Sequence, residues 1–234
     1  MASRGSIDST GVVAPLPDTP PPWVLRSSVL ADAYALAVAA HGDQRRPSDG
    51  RYFVEHVVEV GKLLHDAGFD DELVAVGLLH DSVERGTLGE QDLRERMGAS
   101  ICSLVLTLSE DSQVASFDGR KAGLRRQVES AGGLAVTVYA ADKVSDIRGL
   151  RRGIEIYGDA LDERLGTSVS SMTDHYRESV AMIESVRPGS VFLPDLRLEL
   201  ERLLRPPTGQ SPPARLSLRK AARHPSPSGG PAPR

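Results

Sequence analysis

Apolar residues recur every three or four positions through most of this chain, and glycines and prolines cut the pattern into segments. That spacing lays one apolar stripe along each helix and leaves a strand no face of its own. It runs through VLADAYALAVAAH and then through FVEHVVEVGKLLHDAG, which ends at Gly68. A third helix is expected to start at the capping residues Asp70 or Asp71, run through ELVAVGLLHDSVE and stop at Gly86. LGEQDLRERMG and ASICSLVLTLSE read as two further short helices, and SFDGRKAGLRRQVES as a charged one. GGLAVTVYAADKVSDIRGLRRGI reads as a long helix, and SVSSMTDHYRESVAMIESV and LPDLRLELERLL close the series. VTVY is the nearest approach to a strand, yet helical periodicity continues on both sides of it. Aromatic residues make up only 4% of the chain against 40% hydrophobic residues, so the core is built from Leu, Val and Ala, which favour helix. The expected fold is an all-α helical bundle.

The bundle is expected to be a single domain over residues 23–205. Residues 1–22, ending in APLPDTPPP, and residues 206–234 are rich in Pro, Ser and Gly. Neither can bury enough apolar surface to offset chain entropy, so both read as disordered extensions. The net charge of −4 argues against a nucleic-acid binder as a whole. The C-terminal extension holds Lys and Arg but no acid, so it is the one segment with the charge to touch nucleic acid or an acidic partner; a solvated low-complexity tail is the simpler reading. The single cysteine, Cys102, excludes an intramolecular disulfide and fits a reducing, cytoplasmic setting. The N-terminus lacks the basic start and apolar run of a signal peptide, and no apolar stretch approaches the ~20 residues of a membrane helix.

Metal-ligand side chains end apolar stripes in three places: His56 in YFVEHVVEV, His80-Asp81 in LLHDSVE, and Asp142 in VYAADKVSD. Two imidazoles and two carboxylates suit a borderline or hard divalent ion such as Mn²⁺, Fe²⁺ or Zn²⁺. On a continuous helix His80 and Asp81 would point about 100° apart, so an ion must sit close to the backbone to meet both. Each residue alone also has a plain structural reading, as a packed histidine or a carboxylate paired with Lys143, Arg148 or Arg85.

The order of these motifs resembles the HD-domain superfamily of metal-dependent phosphohydrolases, and within it the RelA/SpoT-type (p)ppGpp hydrolases, including small stand-alone alarmone hydrolases. The family has a histidine and a Gln-x-Arg-Lys segment before a Tyr-x-x-His ligand; HGDQRRPSDGRYFVEH supplies His41, Gln44, Arg46, Tyr52 and His56. For the family's His-Asp-Thr-Val-Glu-Asp the chain has His80, Asp81, Ser82, Val83, Glu84 and Arg85. For Ala-Asp-Lys followed by Asn and Arg it has Ala141, Asp142, Lys143, Asp146 and Arg148. The resemblance covers about residues 28–185. It implies that His56, His80, Asp81 and Asp142 hold one Mn²⁺, which would polarise a phosphoryl oxygen and acidify a water. It implies that Glu84 orients or deprotonates that water, that Arg46 stacks on guanine, and that Lys143 and Arg148 face phosphate charge. Tyr176 falls where the family has a tyrosine near the nucleotide.

Three positions depart from the family pattern. Arg85 replaces an acid, and would either bind phosphate or neutralise Asp81. Pro47 replaces a lysine, removing a donor. Asp146 replaces an asparagine, and an ionised Asp only accepts hydrogen bonds and would repel phosphate. The metal shell is intact and the substrate shell is altered. The expected activity is (p)ppGpp 3′-pyrophosphate hydrolysis on a small guanine nucleotide, without an accompanying synthetase. The alternatives are hydrolysis of another nucleotide phosphoester, or a non-catalytic scaffold that binds metal and nucleotide.

Overall fold

The computed structural model describes residues 6–7, 13–14 and 19–205. The C-terminal extension lies outside these residues, as does most of 1–22. Within that N-terminal segment Ser6–Ile7 (β1) pairs antiparallel with Val13–Ala14 (β2). Everything else is helix and turn: α1 (Ser28–His41), α2 (Phe53–Asp66), α3 (Asp71–Leu79), α4 (Glu90–Thr107), α5 (Phe117–Ala131), α6 (Gly133–Tyr157), α7 (Leu161–Leu165), α8 (Val169–Val186) and α9 (Leu193–Leu204). The chain is all-α in architecture. No helix among the described residues is long and apolar enough to cross a membrane.

α6 is the axis of the bundle. It packs against α2, α3, α5, α8 and α9, and from Ala135 to Ser145 every residue is buried. A helix enclosed on all sides has no polar face to keep in water, which is why VTVY interrupts the amphipathic pattern without forming a strand. α1, α2 and α3 pack together on one side of it, with Leu36, Val57, Val60, Leu64 and Leu78 in their shared core. Asp70 caps α3 by accepting the Leu73 N–H at 2.9 Å, as its position in the sequence suggested. The expected break between the two short helices also occurs. Gly98, at φ 86° and ψ 167°, interrupts α4 in a conformation that glycine adopts at little cost.

α3 is shorter than expected. It ends at Leu79, and residues 80–85 continue as turns, with the Ser82 N–H bonding back to the Leu79 carbonyl at 2.9 Å. The cause is local. His80 Nδ1 donates to the Gly77 carbonyl at 2.8 Å, the acceptor that the Asp81 N–H would use if the helix continued. α7 escaped the sequence reading because five residues around one buried leucine, Leu161, carry too little periodicity.

The segment carrying Arg46 is pressed onto α6 at two glycines. A Cβ on Gly153 would stand 1.9 Å from the Ser48 carbonyl oxygen, and one on Gly149 would stand 2.7 Å from the Arg46 guanidinium. Gly153→Ala therefore forces backbone apart. It is expected to destabilise the fold by at least about 2 kcal/mol, measured as a lower urea midpoint at unchanged slope.

Candidate metal centre and cleft

His56 comes from α2, His80 and Asp81 from the end of α3, and Asp142 from α6, three helices in mutual contact. His56 Nε2 lies 3.3 Å from Asp142 Oδ1 and 3.6 Å from Asp81 Oδ2. His80 Nε2 lies 3.5 Å and 3.4 Å from the same two oxygens. Donors about 2.1 Å from one shared ion stand roughly 3–4 Å from each other. The ligand atoms of His56, His80 and Asp142 all lie within 4.8 Å of one another, a spread that suits a single divalent ion, and Asp81 meets that trio through the two imidazoles.

The protonation pattern also fits. A carbonyl can only accept, so the His80 Nδ1 bonded to Gly77 carries a hydrogen, and it is Nε2 that exchanges its proton for a lone pair when the ring is neutral. That Nε2 is buried without a hydrogen-bond partner. Each carboxylate turns one oxygen toward the imidazoles and the other toward a cation. Asp142 Oδ2 meets Lys143 Nζ at 2.8 Å, and Asp81 Oδ1 meets Arg85 Nε at 3.6 Å. Burial disfavours the charged forms here, yet His80 is held well above the ordinary imidazole pKa by Asp81 and Asp142. Asp142 is likewise held well below the usual carboxylate range, by Lys143 and the two histidines. The pocket is built to take positive charge between its imidazoles and carboxylates.

His80, Asp81 and Asp142 open into a cleft that Glu84, Arg85, Arg46, Lys143, Asp146 and Tyr176 also line. Asp146 is not a free anion in that cleft. Its Oδ1 accepts from Arg46 Nη2 at 2.9 Å and its Oδ2 from Lys143 Nζ at 2.6 Å. Arg46 is additionally 3.9 Å from Asp49, itself held by Arg152 at 2.9 Å, so its guanidinium is fixed in place. Glu84 Oε2 accepts the Glu110 N–H at 2.7 Å. Burial, and then Asp81, raise the Glu84 pKa against the opposing pull of Arg85. Arg85 Nε is 3.4 Å from Glu84 Oε1 as well as near Asp81, so it lies against both acids. Tyr176 is fully buried, and burial pushes its phenol pKa well up, leaving a neutral hydroxyl.

Arg148 is a correction to the sequence reading. It does not line the cleft; it binds Glu59 at 3.0 Å and Glu199 at 3.3 Å, because α6 turns that position toward α2 and α9. Tyr52 is also elsewhere, buried with Arg45 stacked on its ring, and it is Phe53, three residues before His56, that lines the cleft. His41 stacks on Phe53 at 4.6 Å and bonds Gln44, a packing position outside the cleft lining. Glu110, Arg120 and Lys121 do line it and were not singled out in the sequence. Arg120 Nε donates to Glu110 at 3.1 Å, and Lys121 binds the same carboxylate. On a charged helix such as α5, the sequence holds no signal separating a cleft cation from a solvated one.

The model of the HD domain matches residues 33–152, which spans α1 through most of α6 and includes all four candidate ligands. This chain belongs to the HD-domain family. Among curated relatives of this HD domain, the GTP pyrophosphokinase rsh of Brucella ovis is 35% identical over 86 residues, 37% of this chain and 11% of that protein. The human guanosine-3′,5′-bis(diphosphate) 3′-pyrophosphohydrolase MESH1 is 29% identical over 126 residues, 53% of this chain and 70% of that protein. The HD fold is shared with a solved metazoan ortholog of SpoT, described as hydrolysing ppGpp, at TM-score 0.60 and 20% identity over 79% of this chain and 96% of that one. It is also shared with lmo0812 of Listeria monocytogenes, at TM-score 0.56 and 22% identity over 63% of this chain and 92% of that one.

Within this HD domain both oxygens of Asp146 are committed to cations, a duty an asparagine cannot perform because its amide nitrogen only donates. Asp146→Asn is therefore expected to cost about 1–3 kcal/mol, read from urea denaturation of the full chain.

Proposed function

We propose that this HD domain is a metal-dependent phosphohydrolase that removes the 3′-pyrophosphate of guanosine 3′,5′-bis(diphosphate). The observation that carries the reading is the convergence of ligand atoms of His56, His80 and Asp142, all within 4.8 Å of one another, with Asp81 Oδ2 3.6 Å and 3.4 Å from the two imidazoles, at one end of a cleft lined further along by Arg46, Lys143, Arg120 and Lys121. The likeness to MESH1 supports the substrate. His56, His80, Asp81 and Asp142 would hold the ion, with Mn²⁺ the first choice and Fe²⁺ or Zn²⁺ compatible with the same donors. A bound divalent ion supplies Lewis acidity toward the phosphoryl group.

The chain's own groups do the rest. Glu84, its pKa raised by burial and by Asp81, accepts the proton of the attacking water. The water oxygen bonds the phosphorus next to the ribose, the 3′-oxygen departs with a proton, and pyrophosphate is released. Lys143 and Arg46 balance phosphate charge from positions fixed by Asp146. Tyr176 presents a neutral hydroxyl to the nucleotide. The buried free Cys102 is in keeping with a reducing, cytoplasmic setting.

One observation favours a second reading, hydrolysis of a different nucleotide phosphoester. Arg85 lies against Asp81 and Glu84, where the resembling family has an acid. It therefore neutralises charge beside the reacting water.

Purified full-length protein with Mn²⁺ is expected to release pyrophosphate from guanosine tetraphosphate. His80→Ala is expected to lose both bound metal and turnover. Glu84→Gln should keep the metal and lose at least about 100-fold in kcat. A metal-loaded parent that leaves this substrate intact would remove it from consideration, and a screen of nucleotide phosphoesters would then test the second reading. Arg85→Asp is expected to raise turnover of guanosine tetraphosphate several-fold if the arginine is what restrains it; unchanged turnover would clear Arg85 of that role.

A further inference from the structure

Behind His56, away from the cleft, runs a line of hydrogen bonds that the reaction itself does not use. His56 Nδ1 lies 2.9 Å from Ser145 Oγ, and Ser145 Oγ lies 2.8 Å from Glu59 Oε2. Glu59 Oε1 accepts from Arg148 Nη1 at 3.0 Å, and Arg148 Nε donates to Glu199 Oε1 at 3.3 Å. We infer that Ser145 and Glu59 are positioning residues that fix the tautomer and orientation of the ligand His56, with Arg148 and Glu199 anchoring them to α9. The inference rests on the metal reading of His56 given above.

The direction of each bond follows from donor chemistry. Burial opposes ionisation of Glu59, but Arg148 and Ser145 more than offset it and hold its pKa below the ordinary value. As a carboxylate it can only accept, so the Ser145 hydroxyl must give its one proton to Glu59. What remains on Ser145 Oγ is acceptor capacity, which takes the hydrogen of His56 Nδ1. His56 Nε2 is then left bare, facing Asp142 and Asp81. An imidazole ligand with its second nitrogen so committed keeps its ring orientation and gains basicity.

The two histidines need different devices because of where they sit. His80 stands at the end of α3 and fixes its own Nδ1 on the Gly77 carbonyl. His56 lies inside α2, whose carbonyls are taken by the helix ladder, so its partner must be a side chain from another helix. Ser145 on α6 is fully buried and supplies it. Arg148 then joins acids from α2 and α9, and Glu199 is itself buried, with Arg151 and Arg202 against it. Apolar contacts through Leu193 and Leu196 already seat α9 in the core. Buried charge is a poor source of stability next to such contacts, which points to orientation of His56 as the purpose of the network.

The test uses the full chain and two readouts. Mn²⁺ binding is titrated by calorimetry, and the tautomer of His56 is read from its ¹⁵N imidazole signals in metal-free protein, at a pH where the ring is neutral. Ser145→Ala is expected to weaken Mn²⁺ binding about 10- to 100-fold and to shift His56 to a mixture of tautomers. Glu59→Gln should fall between that variant and the parent. The double variant should bind no worse than Ser145→Ala alone, because both changes act through one path. Arg197→Ala, an exposed change on α9, should bind as the parent does. If Ser145→Ala binds Mn²⁺ within about twofold of the parent and His56 keeps its tautomer, the positioning role is wrong. If the parent binds no Mn²⁺, the metal reading fails by itself, and the His56 tautomer still decides the relay. Should Ser145→Ala fail to fold, Glu59→Gln carries the same two readouts with the same two outcomes.

Discussion

Asp142 Oδ1 stands 3.3 Å from one imidazole nitrogen and 3.5 Å from another, and those nitrogens belong to side chains from two other helices. Such a contact requires α2, α3 and α6 to meet at one place, and much of the remaining architecture follows from that demand. α6 must run through the middle of the bundle, so it is buried along most of its length, with α2, α3, α5, α8 and α9 packed around it. α3 stops at Leu79, and His80 and Asp81 follow it at the edge of that meeting place. Buried imidazoles and carboxylates are tolerable only when positive charge compensates the acids. Lys143 and Arg85 supply part of that compensation from the outer oxygens, and the inner oxygens are left facing one another across the space where an ion fits.

The same demand explains why glycine appears where the Arg46 segment meets α6. Arg46 has to reach Asp146 from a loop, and the loop has to lie flat on the helix that carries Asp142. A side chain at Gly153 would push the loop backbone away, and one at Gly149 would displace the Arg46 guanidinium. The guanidinium is therefore held by Asp146 and Asp49 before any substrate arrives, and its orientation costs nothing at the moment of binding.

How much of this was legible in the sequence depends on the range of each interaction. The helices were legible because their apolar period is local, as were the Asp70 cap and the break at Gly98. The four candidate ligands were legible because each ends an apolar stripe and because their order matches a known family. The end of α3 was not, since it is set by a side chain taking one backbone carbonyl. Arg148 was misread for a related reason: one residue along a helix rotates a side chain by about 100°, and nothing local says which neighbour then receives it. Ser145 and Glu59 carried no signal at all. A serine and a glutamate 86 positions apart become partners only after α2 is laid against α6.

The three departures from the family pattern look unrelated in the sequence, but they compensate in charge. Replacing an acid by Arg85 adds two positive charges, while Pro47 for lysine and Asp146 for asparagine each remove one, so the formal charge of the site is unchanged. What changes is its distribution. Positive charge is gained beside Glu84, and negative charge is gained where Asp146 grips both Arg46 and Lys143. Lys143 and Arg46 are thereby partly neutralised by Asp146, as Arg85 is by Asp81 and Glu84. The positive charge gained at Arg85 stands beside the candidate ligand Asp81, at a position that is acidic in the family pattern. Arg46, committed to Asp146 and Asp49, leaves only the face and edges those acids do not cover.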